Sequence, residues 1–314
     1  MASRKLEEQL ERIKQLRNAH PDSETLAVLR KAMTDRSNLV VAEAARAAGE
    51  IRAVELIPDL LSAFSRLFED PVKSDPKCWG KTAIIKAITL MDYSDSPPYI
   101  RGSAHVQMEP VWGDYEDAAG PLRSNCILAL PQCSDLRRVD VFRRLVDSLL
   151  DPLDPVRMEA VRTIGQMGGD EATLLLRLKA RVGDLRPAVT GQAFDAILSL
   201  ESERGLDFVA GFLKSSDPEV RDEAALAMGL WRHARAIEIL IAAWKAAIDR
   251  DFRSVLLRAI SSSREESALE FLLSLVREGT GWQAVAALEA LELHASSPEI
   301  QNRITAAKNE RLRD

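Results

Sequence analysis

Three stretches, VVAEAARAAGEI from Val40, VRMEAVRTIGQMG from Val156 and VRDEAALAMGLW from Val220, share one pattern: Glu-Ala, then Gly six residues after the Glu. With Glu43, Glu159 and Glu223 as the reference, weaker copies align at Thr82, Asn125, Gln192, Val255 and Val285, in steps of 30 to 43 residues. A period in that range belongs to arrays of helix pairs. In the unit from Asp217, the residues Val220, Ala224, Ala227 and Met228 recur three and four apart, the spacing of one helix face. A short link at 232–235 then leads into a second apolar run, AIEILIAAWKAAI. Asp154-Pro155, Arg186-Pro187 and Asp217-Pro218 open first helices, where the missing N–H of proline costs nothing. Gly49, Gly165 and Gly229 near the helix ends suit either a left-handed cap or a close approach of another helix.

These units resemble HEAT repeats, on DPVRMEAVRTIGQMG and DPEVRDEAALAMG as first helices and AVELIPDLL, with Pro58, as a second helix. The shorter carboxy-terminal units are similar to the HEAT-like repeats of phycobilisome-lyase relatives. The resemblance implies an all-α fold, a right-handed solenoid of about eight antiparallel helix pairs over residues 37–308. Residues 1–36 then read as N-terminal capping helices and 309–314 as a C-terminal tail. The units at Val255 and Val285 depart from the pattern in lacking the reference acid, and the second unit is lengthened.

Composition agrees. The 314 residues are 46% hydrophobic, 29% charged and only 5% aromatic, a mix that favours helices and all but excludes an all-β fold. No segment alternates over a strand length, so no sheet is expected. A net charge of −6 opposes sequence-independent nucleic-acid binding, which needs surplus Lys and Arg to displace counterions. The densest basic region, 123–186, holds eleven bases against nine acids and reads as a solvated helix face. Three cysteines without a CxxC pair fit a reducing compartment. With no signal-peptide core and no apolar stretch of membrane-crossing length, a cytoplasmic location is expected.

Two features are candidates for binding. The lengthened second unit carries an irregular insertion at 93–121, with four prolines, three glycines, all three tyrosines of the chain, and Arg101, His105 and Trp112. Tyr, Trp and Arg dominate binding hot spots, and the same side chains also anchor long loops by packing. Within it, Trp112 is expected to be the structural residue and Tyr99, held extended by two prolines, the exposed one. The second feature is Arg181, Lys214, Lys245 and Arg277, spaced at the repeat and equivalent in four second helices, with Leu174, Asp207, Glu238 and Glu270 seven residues earlier. In the architecture that the resemblance implies, these line the concave face as charged rails. The competing account is that acids near helix starts and bases near helix ends complement the helix dipole.

Catalysis has little support. His20, His105, His233 and His294 lie in different units without metal-ligand spacing, and no GxSxG, Walker or GxGxxG pattern occurs. Cys126 reads as packing. No metal or cofactor is expected. The expected function is a non-catalytic scaffold that binds another protein through the second-helix face, the insertion, or both. The alternatives are nucleic-acid binding or base repair on a HEAT-like fold, and a tetrapyrrole lyase or isomerase helper.

Overall fold

All eight aligned positions lie on the first helix of a helix pair. The structure, a computed structural model, describes residues 2–312, which form nineteen α-helices and one β-hairpin. The chain divides into two compact units, Met1–Thr163 and Ile164–Asp314, with the division falling inside a helix.

In the first unit, α1 (Ala2–Gln15) and α2 (Ser23–Met33) pack on α3 (Asn38–Glu50), and the next helix, α4 (Ile57–Arg66), packs against α2. The short α5 (Pro71–Ser74) leads to α6 (Trp79–Leu90) and α7 (Pro97–Ser103). Strands β1 (Met108–Val111) and β2 (Asp114–Asp117) follow, then α8 (Gly120–Ala129), α9 (Arg138–Ser148) and α10 (Asp154–Met167), which contains the division. Helices α3, α6 and α8 stack side by side as one layer. Nearly every residue of α3 from Val40 to Gly49 is buried, as suits a helix that is apolar on all sides and enclosed by neighbours. Its reference acid, Glu43, stays buried because Arg17 reaches it at 2.7 Å and Arg46 at 3.1 Å.

The second unit continues with α11 (Gly169–Val182), α12 (Pro187–Glu201), α13 (Glu203–Ala210), α14 (Pro218–Leu230), α15 (Ala234–Ala246), α16 (Arg250–Ser262), α17 (Glu266–Glu278), α18 (Gly281–Leu291) and α19 (Pro298–Arg311). Helices α12, α14, α16 and α18 form the first-helix layer. Three of the four starts carry a side-chain cap: Asp217 accepts from Glu219 N–H at 3.0 Å, Asp249 from Asp251 N–H at 3.0 Å, and Thr280 and Gln283 form a reciprocal capping box, while α12 opens on Pro187 without one. Of the tail expected at 309–314, residues 309–311 are the last turn of α19, and 313–314 lie outside the described residues.

The helix-end glycines serve close approach. A Cβ on Gly49 would stand 2.9 Å from Ala87 Cα, and one on Gly229 only 2.1 Å from the Ala259 carbonyl oxygen. Three residues after Gly49 and Gly229 the positive-φ turn falls on a non-glycine residue, Arg52 (φ 52°) and Arg232 (φ 53°), with Asp92 (φ 59°) in the corresponding place after α6, whereas after Gly165 it falls on Gly168 (φ 65°). After α3 and α6 the chain closes as a Schellman motif, Ala53 N–H to Ala48 O at 2.9 Å and Tyr93 N–H to Ile88 O at 3.0 Å. Arg52 and Asp92, at equivalent turns of successive units, also pair with each other.

The expectation of no sheet is corrected by the hairpin. Met108 pairs with Asp117, Glu109 with Glu116, Pro110 with Tyr115 and Val111 with Asp114, and Gly113 takes φ +82° in the two-residue turn. Pro110 within one strand, and exposure on both faces, erase the apolar-polar alternation that marks a half-buried strand.

Between α12 and α14, Glu223 lies against Gly191. Burial, with the charge of Glu223 added, pushes Asp195 up to about 6 from an ordinary 3.8. A raised carboxyl adds stability while protonated and loses it as pH rises through the folded value. Asp195→Asn is therefore expected to stabilise the protein by about 1–3 kcal/mol at pH 7.5, with the difference vanishing near pH 3.5, in thermal melts across that range.

Candidate functional site

The insertion between α6 and α8 is built on a buried polar network. Asp75 and Lys81 are both fully buried, with Lys81 Nζ 3.2 Å from Asp75 Oδ2. The Asp75 carboxylate also accepts from the N–H groups of Gly80 (2.7 Å) and Lys81 (2.9 Å) at the start of α6, and from Asn38 Nδ2 (2.9 Å). Lys81 donates further to Leu67 O (3.2 Å) and Gln107 Oε1 (3.0 Å). Gln107 carries the network into the hairpin, donating through Nε2 to Asp75 O (2.9 Å) and Glu109 Oε1 (2.6 Å). The Lys77 N–H closes on the same Glu109 oxygen at 2.6 Å. Lys77 and Cys78 reach their places through successive left-handed backbone conformations, φ 60° and 52°, a strain of order 1–3 kcal/mol each that the surrounding contacts hold.

The other strand is pinned in the same way. Arg123 of α8 is buried between Asp117 (2.7 Å) and a two-point contact with Asp151 (2.7 and 2.9 Å), and its third nitrogen donates to His105 O at 2.8 Å. Asp117 also accepts from the N–H groups of Gln107 and Ala119, each at 3.0 Å. Burial alone would raise the Asp117 carboxyl, but these N–H groups and Arg123 hold it below its usual value. Charges paired and hydrogen-bonded this fully fix one geometry for the base of the hairpin.

What the hairpin carries outward is aromatic and acidic. Trp112 sits at the turn with a relative exposure of 104%, while Val106, Met108, Val111 and Tyr115 are also exposed. Asp114 and Glu116 face solvent beside them without an ion pair among the described residues.

The roles expected for Tyr99 and Trp112 are reversed. Tyr99, 1% exposed, lies in α7, donates through its hydroxyl to Tyr93 O at 2.9 Å and contacts the Thr89 hydroxyl at 3.4 Å. The Pro97-Pro98 pair opens a helix here and does not hold an extended chain, so Tyr99 turns inward. Arg101 and His105 are brought together on Phe68, Arg101 with its guanidinium 3.9 Å from the ring centre and His105 edge-on at 4.8 Å. Burial holds His105 below the usual imidazole value.

The second-helix series is only partly free. Arg181 lies over Phe208 (4.9 Å) and Phe212 (5.4 Å), and Arg277 is drawn to Glu270 (3.4 Å) and Glu310 (3.8 Å). Of the acids, Asp207 pairs with Arg235 at 2.6 Å, and Glu270 pairs with Arg303. Lys214 and Lys245 remain exposed without an ion pair among the described residues, and Lys214 borders a groove of about 430 Å³ beside Leu213 and Ile239. These four positions are thus two structural cations and two open ones.

Sequence reasoning missed Asp75, Lys81, Gln107, Asp117 and Arg123. One signal was available for Lys81: it stands three, four and seven residues before Ile84, Ile85 and Ile88, on the apolar face of its helix. The partners, 26 residues away at Gln107 and 28 apart at Arg123 and Asp151, have no local signature.

A model of HEAT repeats matches residues 175–261 and 205–292. Among solved structures, the chain is similar to human deoxyhypusine hydroxylase in complex with glycerol, at 19% identity over 84% of this chain and 99% of that one, TM-score 0.31. It is also similar to an engineered protein from a structural genomics consortium, at 18% identity over 90% and 94% of the two chains, TM-score 0.21. No curated protein matches.

Proposed function

We propose that this chain, a stack of helix pairs with HEAT repeats at residues 175–292, is a non-catalytic scaffold that binds another protein through the 108–117 hairpin. The observation that carries this reading is Trp112, wholly exposed on a hairpin whose base is fixed by buried charges. A rigid, presented aromatic lowers the ordering cost of association, and Trp and Tyr supply large contact area. Lys214 and Lys245 offer a second, weaker surface.

A purely binding role is supported by the state of the reactive groups. Burial pushes Cys78 up to about 12 and Cys133 up to about 11, and keeps Cys126 far above its ordinary value, so none is a thiolate nucleophile. The buried charges under the hairpin, Lys81 with Asp75 and Arg123 with Asp117 and Asp151, already satisfy one another. The exposed carboxylates beside Trp112 disfavour a nucleic-acid partner there. No helix among the described residues is long and apolar enough to cross a membrane, and the three buried free thiols fit work in the cytoplasm.

The test is partner capture by two double variants. Trp112→Ala with Tyr115→Ala is expected to lower capture at least tenfold, and Lys214→Ala with Lys245→Ala by a few-fold at most. Equal capture by the first variant and the unaltered chain would refute the hairpin as the interface.

A further inference from the structure

The hairpin's chemistry narrows what it binds. Between Gly102 and Leu122 the chain contains no Lys or Arg, while Glu109, Asp114, Glu116 and Asp117 all fall on the two strands. Two of these acids are spent internally, Glu109 on the Lys77 N–H and Gln107, and Asp117 on Arg123. Asp114 and Glu116 are left facing solvent on either side of Tyr115, three and one residues beyond Gly113 at the turn in Glu116 and Asp114 respectively. The cations that flank this stretch have partners of their own, Arg123 in its buried ion pairs and Arg101 on Phe68, while the exposed Lys77 lies over the Trp79 ring at 5.4 Å.

The register sorts the remaining side chains. Met108, Pro110 and Tyr115 share one face of the hairpin with Asp117, and Glu109, Val111, Asp114 and Glu116 share the other, with Trp112 at the end of both. The tip therefore offers an electron-rich ring next to uncompensated carboxylates. That combination attracts a basic segment in two ways: the ring face draws one Arg or Lys by its quadrupole, and the carboxylates accept from a neighbouring one.

We propose, resting on the hairpin being the interface, that its occupant is a basic peptide segment of the partner protein, with an Arg or Lys side chain laid over Trp112 or Tyr115 and a neighbouring base paired with Asp114 or Glu116. The site recognises cationic, apolar-flanked sequence, and the strength of the contact falls with salt because its charged groups are exposed.

Selection from a displayed library of random 12-residue peptides tests this, using the full chain and counter-selecting on Trp112→Ala, a change at a fully exposed position that leaves the fold intact. Peptides specific to the unaltered chain are expected to be enriched in Arg and Lys. Their affinity is expected to fall at least tenfold for Asp114→Lys with Glu116→Lys, and several-fold between 50 and 300 mM salt. Specific peptides without basic enrichment would overturn the charge assignment while leaving the hairpin as the interface. Failure to find any peptide that distinguishes the unaltered chain from Trp112→Ala would overturn both.

Discussion

Tyr99→Ala is expected to lower stability by about 3–5 kcal/mol, while Trp112→Ala leaves the melting temperature unchanged. Tyr99 is buried in α7, which packs on α6 and α8, and its hydroxyl is spent on Tyr93 O and Thr89. Truncation opens a cavity of ring size and leaves the Tyr93 carbonyl without its partner, and both losses act in the same direction. Tyr99→Phe separates the two, since it keeps the volume and removes only the hydrogen bonds, for an expected loss of about 1 kcal/mol. Trp112 has no such surroundings, so its removal costs the fold nothing. Urea denaturation of the three variants reads all of these values. A Trp112→Ala chain as destabilised as Tyr99→Ala would mean that the tip packs against the body.

Lys81→Met is expected to cost about 3–5 kcal/mol, the range for removing one partner of a buried ion pair. The Asp75 carboxylate would keep its hydrogen bonds from Gly80, the Lys81 backbone and Asn38 but lose its compensating charge in a site closed to water. Gln107 Oε1 and Leu67 O would lose a donor at the same time. The double change Asp75→Asn with Lys81→Met is expected to cost less than Lys81→Met alone, because no buried charge is left uncompensated. Denaturant unfolding of the two singles and the double yields the coupling as a double-mutant cycle. Additive losses would show that the pair does not act as a unit. Since Gln107 joins this pair to the hairpin, amide exchange in 108–117 is expected to quicken in Lys81→Met before the rest of the first unit responds.

The repeat was legible because its signal is periodic. Glu43, Glu159 and Glu223 with their glycines set a register that placed all eight first helices, since the same packing problem recurs at each and admits few residue types. The glycines themselves were ambiguous, because a left-handed cap and a close approach ask for the same residue. Contact with Ala87 and Ala259 decides for the approach, and the left-handed turn falls on Arg52 and Arg232, which no rule based on glycine finds. The insertion was legible as a place and not as a structure. Its aromatics marked 93–121 as unusual, but whether a tyrosine turns in or out depends on the helix that Pro97 opens and on Asp135, whose carboxylate fixes Ser96 from 39 residues away. The network under the hairpin was invisible for a related reason: Asp75–Lys81 and Asp117–Arg123 are each six residues apart, but the partners that complete them, Gln107 and Asp151, come from 26 and 28 residues away. Arg181 and Arg277 matched the repeat period because they brace successive helices, and period alone does not separate bracing from binding.

The central claim, that the end of the hairpin is where a partner sits, is tested most directly by replacing Trp112 with a photoreactive phenylalanine derivative and irradiating the chain with its partner present. The account predicts an adduct of higher mass from position 112, competed by the unaltered chain, and much less from the same group at position 99 or 245. Crosslinks from position 112 confined to the chain itself, with strong partner adducts from position 245, would contradict it and move the interface to the second-helix face.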